Sequence, residues 1–305
     1  MSTPRVAVIT RTKNRAVLLK RAVESVINQH YADWLHVIVN DGGDPELVEA
    51  VVNAYRDTYR DRLVLLHNPV SLGMEAAANV GIRHSDSEYL VIHDDDDSWH
   101  PAFLQRCIEY LDAPPPVLGT PIRGVATYCI RIMEEFDGKA VKPVATEPFN
   151  AWMTGVSFYR MACNNTLPPI CFVFAREATA DIGLFREDLP VLGDWDFHLR
   201  FIARYEIGLI REELAFYHHR LSITEGIYGN TVVAQIDQHR RYDHLLRNDL
   251  LRQDLRNNQV GLGFLVNVVH SFEVLNGQLI YFSNFFHRLK VLRPVRWLYF
   301  KIMGR

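Results

Sequence analysis

The sequence predicts an α/β protein, with a sheet flanked by helices over residues 1–220 and a helical extension over residues 221–305. Three observations support this division. The first hundred residues alternate short β-branched runs with helix-spaced apolar residues, the pattern after about Thr231 is helical only, and the charge balance changes between the two parts. The 305 residues are 48% hydrophobic and 23% charged. This composition excludes a disordered chain, a collagen, a small disulfide scaffold and a polytopic membrane protein.

The first hundred residues contain four predicted strands separated by helices. Each strand is a short apolar run, as in a strand buried on both faces, and each helix carries apolar residues three or four positions apart. The strands are Val6–Thr10, Leu35–Val39, Leu63–Leu66 and Tyr89–Ile92, and the helices are Ala16–Gln29, Pro45–Tyr55 and Gly73–Arg83. Because strands that alternate with helices form parallel sheets with right-handed crossovers, we expect a parallel sheet here.

The elements after the proline-rich break at 113–116 are less regular. Further strands are predicted at Val125–Met133, Leu167–Phe174, Leu209–Ile210 and Leu214–Tyr217, with a turn at residues 137–138 and a helix at Asp194–Tyr205. Beyond Thr231 an amphipathic helix is expected, with apolar residues at Val232, Ile236, Leu245, Leu246, Leu250, Leu251 and Leu255.

Charge is divided unevenly along the chain. Residues 1–220 hold 30 acidic and 22 basic residues, whereas residues 221–305 hold 6 and 11. Residues 285–305 interleave basic with apolar and aromatic side chains, a pattern that suits either an anionic membrane surface or a packing or dimerisation helix with a solvated basic face. Nucleic-acid binding is disfavoured, because residues 1–220 are net acidic and contain no nucleic-acid-binding motif.

The cysteines and the apolar runs exclude several other classes. Cys107, Cys129, Cys163 and Cys171 form no CxxC pair and suit no common zinc pattern, so we expect buried free thiols. The run at Val6–Thr10 is too short for a signal peptide, and no stretch reaches the roughly 20 apolar residues of a membrane span. We therefore expect a cytoplasmic protein, either free or peripheral on the inner face of the plasma membrane.

Polar residues follow three of the predicted strands. They are the segments 10–15, 40–43 and 94–97, the last being four consecutive aspartates. Ligands of parallel α/β sheets bind at the carboxyl ends of the strands, where these segments converge. Four adjacent carboxylates repel one another, and a divalent cation would relieve that repulsion. In extended backbone Asp94 and Asp96 would point the same way. The alternative is a solvated acidic turn or helix N-cap.

Glycine-rich phosphate loops are missing after the first strand. Neither GxxxxGKS nor GxGxxG occurs there, which argues against P-loop kinases and typical dinucleotide enzymes. A nucleotide bound at this edge would therefore have its phosphates held by a metal.

Taken together, five ordered motifs identify a resemblance to family 2 glycosyltransferases with the GT-A fold. They are the segments 6–15 (VAVITRTKNR), 37–42 (VIVNDG), 68–81 (NPVSLGMEAAANVG), 89–101 (YLVIHDDDDSWHP) and 193–200 (GDWDFHLR). The resemblance covers roughly residues 4–220. It implies a Rossmann-like mixed sheet and an inverting, nucleotide-sugar-dependent transferase.

The resemblance also implies roles for particular residues. Asp41 would accept the N3–H of uracil or thymine, Asp94 would lie near the ribose, and Asp96 would bind Mn²⁺ or Mg²⁺ together with His218 or His219. The other residues implied to bind the donor nucleotide are Thr10, Arg11, Thr12, Asn14, Gly73, Asn79 and Asp95. Of the two histidines, only one would face the site, and a surface pair is the alternative.

Asp194 would be the general base that deprotonates the acceptor hydroxyl. Its alternative is a helix-start carboxylate favoured by the helix dipole. The family often has Glu before this Asp, but here the position is Gly193. Trp152, Asn165 and Trp195 are weaker candidates for the sugar or acceptor pocket.

The function implied is transfer of a sugar from a UDP- or dTDP-sugar to a hydroxyl of a glycan or lipid-linked acceptor, in bacterial surface polysaccharide synthesis. The first alternative is a nucleotidyltransferase that makes nucleotide-sugars, although segment 10–15 lacks the glycine that such enzymes usually carry. The second is a glycan-binding scaffold without catalysis.

Overall fold

The computed structural model describes residues 3–136, 140–220 and 236–288, with isolated positions at 223, 226, 228, 229, 299, 301 and 303. The turn expected at residues 137–138 and most of segment 285–305 lie outside these residues. The strands are β1 Val6–Thr12, β2 Trp34–Asp41, β3 Leu63–Asn68, β4 Tyr89–Ile92, β5 Ser98–Trp99, β6 Ile122–Phe136, β7 Val141–Pro148, β8 Phe172–Ala175 and β9 Glu206–His219.

Most of the helices lie between the strands in the sequence, and the last two follow the last strand. They are α1 Ala16–Ile27, α2 Pro45–Asn53, α3 Arg56–Tyr59, α4 Met74–Arg83, α5 Phe103–Asp112, α6 Phe158–Cys163, α7 Ala178–Ile182, α8 Gly193–Ile202, α9 Ile236–Arg256 and α10 Leu262–Arg288. The predicted helices in the first hundred residues are confirmed, with ends shifted by one or two residues.

Within the described ranges the strands form one mixed sheet. Its order is β3-β2-β1-β4-β8-β6-β9-β5, and β7 pairs with β6. The strands β3, β2, β1 and β4 are parallel, as expected from the alternation, whereas β8 pairs antiparallel with both β4 and β6. The carboxyl ends of β1, β2 and β4 therefore share one edge of the sheet.

Buried apolar side chains hold α4 against the middle of the sheet. The first four residues of β1 are completely buried, which explains their unbroken apolar run. At Gly81 the helix comes close to the strands, because a β-carbon there would lie 2.5 Å from Ile9 Cγ2 and 3.2 Å from Val39 Cγ2. This close packing holds the C-terminal part of α4 against β1 and β2.

The second half of the sheet differs from the expectation in two places. The strand expected over Leu167–Phe174 was wrong for its first part, since Pro169–Cys171 form a 3₁₀ helix and only Phe172–Ala175 form β8. Two successive prolines at 168 and 169 supply no N–H to a neighbouring strand, which accounts for the difference. The short runs at 209–210 and 214–217 belong to one 14-residue strand, β9.

Contacts divide the chain into two compact units. The first comprises residues 1–161 and 165–246, and the second comprises 162–164 and 247–305. In the second unit, the buried guanidinium of Arg247 donates to the carbonyls of Cys163 and Val266 at 2.8 and 2.6 Å. Of the helices that the structure describes, none is both long and apolar enough to cross a membrane. The division predicted at 220/221 remains a prediction.

Candidate functional site

A cavity of about 220 Å³ lies at the carboxyl ends of the parallel strands. It brings together the three polar segments that follow β1, β2 and β4. Its lining residues are Arg11, Thr12, Lys13, Arg15, Asp41, Ser71, Gly73, Met74, Ala77, Asp94, Asp95, Asp96, Tyr217 and Gly229. Seven of the residues singled out from the sequence, from Arg11 to Asp96, are thus gathered around one space.

Asp41 ends β2 and organises the loop before α4. Its Oδ1 accepts hydrogen bonds from Asn68 Nδ2 at 2.8 Å and Leu72 N at 2.9 Å, while Oδ2 accepts from Ser71 Oγ at 2.7 Å and Gly73 N at 3.0 Å. Burial raises the pKa of Asp41, but these four donors outweigh it and hold the pKa below its ordinary value. The residue is therefore an anion that shapes the cavity wall.

The four aspartates form a turn, closed by a 3.2 Å hydrogen bond from Asp97 N to Asp94 O. The expectation that Asp94 and Asp96 share a side of extended backbone was therefore wrong. The turn is not solvated either, because the last three aspartates are at most 7% exposed. By turning, the chain presents its carboxylates to cations on other elements.

Arginines neutralise most of the acidic turn. Arg11 Nε lies 2.9 Å from Asp94 Oδ1, and Arg15 spans Asp95 and Asp96 with two bonds of 2.8 Å. The remaining donors are Thr12 to Asp95, Arg220 to Asp96, and the backbone N–H of His218 to Asp97. The repulsion predicted from the sequence is thus relieved by protein cations in this structure.

These contacts separate the pKa values of neighbouring aspartates. Burial raises the pKa of Asp96, but Arg15 and Arg220 outweigh it and hold the pKa well below its ordinary value. Burial and the charge of Asp96 raise the pKa of Asp95 to about 6 even though Arg15 opposes them. Asp96 is therefore fully ionised at neutral pH.

The two histidines at the end of β9 have different surroundings. His218 Nδ1 is 2.7 Å from Glu134 Oε1, and its Nε2 is 2.8 Å from Ser98 Oγ. His219 has a buried Nε2 without a hydrogen-bond partner. Burial lowers the pKa of His219 to about 4, so the ring is neutral near pH 7. His219 thus has an unused nitrogen in the form that binds metals.

The residues present fit a divalent cation in their chemistry. The ionised carboxylate of Asp96 supplies oxygen, and the neutral imidazole of His219, within electrostatic range of Asp96, supplies nitrogen. In the described part of the chain, no three His, Cys, Asp or Glu side chains converge as a preformed metal site. Asp96 is instead engaged by Arg15 and Arg220.

Asp194 lies in the first turn of α8, half-buried. Its Oδ1 accepts from Trp195 N at 2.8 Å, and its Oδ2 accepts from Asn165 Nδ2 at 2.7 Å. Burial raises its pKa to about 6, with Arg11 opposing the rise and Asp94 adding to it. A base with this pKa is well placed for proton transfer near neutrality. The bond to Trp195 N is also what a helix-start carboxylate would make.

Several other predicted residues have structural contacts. Thr10 is buried with its Oγ1 2.9 Å from His36 Nε2, and Asn14 Oδ1 accepts from Asp44 N at 2.7 Å. Asn79 is buried and binds the backbone of Phe185. None of these three lines the cavity.

Among the weaker acceptor candidates, Trp152 is exposed and Asn165 binds Asp194 directly. Trp195 is only 2% exposed, and its Nε1 donates to Met161 O at 2.7 Å. It therefore packs in the core.

Sequence reasoning missed Arg220 and Glu134. Arg220 is fully buried and pairs with both Asp96 and Glu134, while Glu134 also accepts from Arg21 and His218. Glu134 lies in β6 among other charged residues, namely Arg123, Arg131 and Glu135, so nothing in the sequence indicated that it is buried. Arg220 directly follows the His218–His219 pair, and that position was the available signal.

Residues 7–139 match the sequence model described as "Glycosyl transferase family 2". The chain is 35% identical over 95 residues to the GalNAc(5)-diNAcBac-PP-undecaprenol beta-1,3-glucosyltransferase of Campylobacter jejuni, a match that covers 31% of this chain and 30% of that protein. The chain thus spans about a third of that relative's length.

Solved structures of two proteins share the fold. S. aureus TarS 1-349 in complex with UDP-GlcNAc is 16% identical, with a TM-score of 0.53 over 73% of this chain and 59% of that one. The mannosyltransferase PcManGT from Pyrobaculum calidifontis, in complex with GDP-Man and Mn²⁺, is 17% identical, with a TM-score of 0.55 over 88% and 70%. At these identities the likeness concerns the arrangement of the backbone.

Proposed function

We propose that this chain, whose residues 7–139 match the family 2 glycosyltransferase model and whose backbone is arranged as in GT-A structures, transfers a sugar from a UDP- or dTDP-sugar to a hydroxyl of a glycan or lipid-linked acceptor with inversion. The observation that carries this proposal is the convergence of Asp41, Arg11, Arg15 and the acidic turn on one cavity, with Asp194 near enough to Arg11 for their charges to interact.

The donor nucleotide occupies this cavity in the proposal. The anionic Asp41 supports a pyrimidine, whose N3–H would add a fifth donor to its carboxylate or displace one of the four present. Arg11, Lys13 and Arg15 line the same space and attract the diphosphate. The UDP-GlcNAc complex of TarS supports a nucleotide-sugar donor. Because PcManGT was solved with GDP-Man, the identity of the nucleobase in the donor is a point to test.

A divalent cation is part of the proposal. Asp96 would hold it together with His219, whose Nε2 is unpartnered, in preference to His218, whose two nitrogens are bonded. A bound Mn²⁺ or Mg²⁺ would stabilise the negative charge of the departing diphosphate. Arg15 and Arg220 keep Asp96 ionised, and a cation would displace at least one of them from its Oδ2.

Asp194 acts as the general base. As the acceptor oxygen bonds to the anomeric carbon, the bond from that carbon to the diphosphate oxygen breaks and the hydroxyl proton passes to Asp194. A single displacement of this kind inverts the anomeric configuration. Asn165 holds the carboxylate of Asp194 in place through its 2.7 Å hydrogen bond. The pKa of Asp194, raised to about 6, suits a base that takes up a proton near neutral pH.

The acceptor is proposed to be reached at a membrane surface. The undecaprenol-linked acceptor in the name of the C. jejuni relative supports this, as do the exposed apolar side chains of α10, among them Phe272, Leu275, Leu279 and Phe282.

Replacing Arg288, Lys290, Arg293 and Arg296 by Gln should abolish sedimentation with phosphatidylglycerol vesicles in low salt. Equal sedimentation of both proteins would contradict membrane docking, and a concentration-dependent mass increase would favour dimerisation instead.

A donor screen tests the function. UDP-glucose, UDP-galactose, UDP-GlcNAc, dTDP-rhamnose and GDP-mannose are each added with Mn²⁺, and thermal unfolding and sugar release are measured. A pyrimidine donor should raise the Tm by about 5 °C at saturation and be cleaved to a nucleoside diphosphate. Stabilisation by GDP-mannose alone would overturn the pyrimidine assignment. Binding without any cleavage or transfer would favour the scaffold, and diphosphate release from UTP with a sugar phosphate would favour the nucleotidyltransferase.

A further inference from the structure

A second buried carboxyl group lies beside the proposed base. Glu75 stands in the first turn of α4, is only 4% exposed, and faces Arg11 with its Oε2 3.4 Å from Nη1. The same Arg11 nitrogen donates to the carbonyl of Met74 at 3.1 Å, and Arg11 Nε binds Asp94. Arg11 is therefore held between the start of α4 and the acidic turn.

Glu75 occupies the space that a side chain at Gly193 would need. A β-carbon built on Gly193 would lie 2.5 Å from Cγ and 2.7 Å from Oε1 of Glu75, far inside van der Waals contact. The φ angle of Gly193 is outside the left-handed region, so its backbone does not itself call for glycine. Because position 193 is glycine, there is room beside it for the carboxyl group of Glu75, which comes from α4.

The charges around Glu75 tie it to Asp194. Burial raises the pKa of Glu75 to about 7; Arg11 opposes this, and the nearby charges of Asp194 and Asp94 add to it. Gly193 directly precedes Asp194 at the start of α8, so the carboxyl group of Glu75 reaches the backbone next to the base. Arg11 thus pairs with Glu75 and Asp94, and its charge also acts on Asp194.

We propose that Glu75 is a positioning residue for the transfer reaction, supplying from α4 a carboxylate that orients Arg11 in the space left free by Gly193. This inference rests on the proposed function. The family that the sequence resembles often has Glu at the position of Gly193, and here a carboxyl group comes from α4 instead.

Glu75→Gln tests the charge while keeping the shape. Because Glu75 holds Arg11 by charge only when it is ionised, the acid limb of the wild-type kcat profile should include the ionisation of Glu75 near pH 7. Glu75→Gln should leave only the titration of Asp194 near pH 6, so the limb should move to lower pH by about half to one unit, and kcat at pH 8 should fall about tenfold because Arg11 is no longer oriented. The assay is sugar release from the best UDP- or dTDP-sugar of the screen with Mn²⁺. A merely structural role would lower Tm and the active fraction without moving the limb.

Relocating the carboxylate provides the matched control. Glu75→Ser combined with Gly193→Glu places the acid on α8 instead of α4, and we expect the limb to return to its wild-type position and kcat to recover at least threefold over Glu75→Gln. Gly193→Glu alone, which overlaps the native Glu75, should lower the Tm. A folded double variant that binds UDP by calorimetry but keeps the Glu75→Gln profile would overturn the proposal.

The outcomes separate this inference from the proposed function. If Asp194→Asn abolishes transfer while Glu75→Gln leaves kcat and its pH profile unchanged, the role of Glu75 is refuted and the function stands. If Asp194→Asn remains fully active, the function itself fails, and the inference fails with it. Should Glu75→Gln not fold, Glu75→Ser and the double variant decide the question by the same two readouts.

Discussion

The side-chain amide of Asn165 donates a 2.7 Å hydrogen bond to Oδ2 of Asp194. Asn165 Oδ1 in turn lies 3.2 Å from His198 Nδ1, so one residue links the proposed base to the core of α8. The titratable and charged groups whose charges interact with Asp194 are Arg11, Glu75 on α4, Asp94 in the acidic turn and Tyr217 on β9.

Replacing Asn165 by Ala should raise the pKa of Asp194, because its hydrogen bond lowers that pKa in the native protein. The acid limb of the transfer rate should move up by about half to one pH unit, opposite to the shift expected for Glu75→Gln. Rates measured from pH 5 to 9 check this, with the exposed Asn53→Ala as control. A uniform loss at every pH would mean that Asn165 acts on folding alone.

His219→Ala and His218→Ala should fail in different ways. His219→Ala removes an imidazole whose Nε2 has no protein partner, so Mn²⁺ should no longer tighten UDP binding. His218→Ala leaves the buried Glu134 and Ser98 without this partner, at a cost of about 1–3 kcal/mol in the free energy of unfolding. Calorimetry of UDP with and without Mn²⁺, together with urea unfolding, distinguishes them. The reverse pattern would assign the metal to His218.

Asp41→Asn should destabilise the protein in a pH-dependent way. The pKa of Asp41 is lowered by folding, so its contribution is fully present above the ordinary Asp pKa of about 3.9 and is lost as pH falls through the lower folded value. The difference in unfolding free energy between wild type and Asp41→Asn should be constant from pH 7 to 5 and shrink below pH 4. A difference that grows on acidification would show that the carboxylate is not the stabilising form.

The first four strands and three helices were predictable because short apolar runs alternate regularly with segments whose apolar residues have helical spacing. The same regularity placed Asp41, Arg11 and Asp96 around one cavity, since parallel strands end at a common edge. The Leu167–Phe174 segment was misassigned because an apolar run does not reveal what its two prolines do to backbone hydrogen bonding.

The cation partners of the aspartates were beyond prediction from local patterns. Arg220 is 124 positions from Asp96, and Glu75 is 118 from Gly193, so only the pairing of β5 with β9 and the approach of α4 to the start of α8 bring them together. The acidic run alone indicated a cation but did not distinguish a metal from a guanidinium. Trp195 was a weak candidate for the sugar or acceptor pocket, and its sequence motif gave no sign that it is buried.

The most direct test of the central claim is sugar transfer by wild type and Asp194→Asn, with the pyrimidine nucleotide-sugar found in the screen, Mn²⁺ present, and Asp57→Asn as an exposed control. The account predicts that Asp194→Asn loses at least about 100-fold in kcat, as expected for removal of a general base, while UDP binding stays within threefold and Asp57→Asn matches wild type. An Asp194→Asn enzyme that transfers sugar at the wild-type rate would contradict the account.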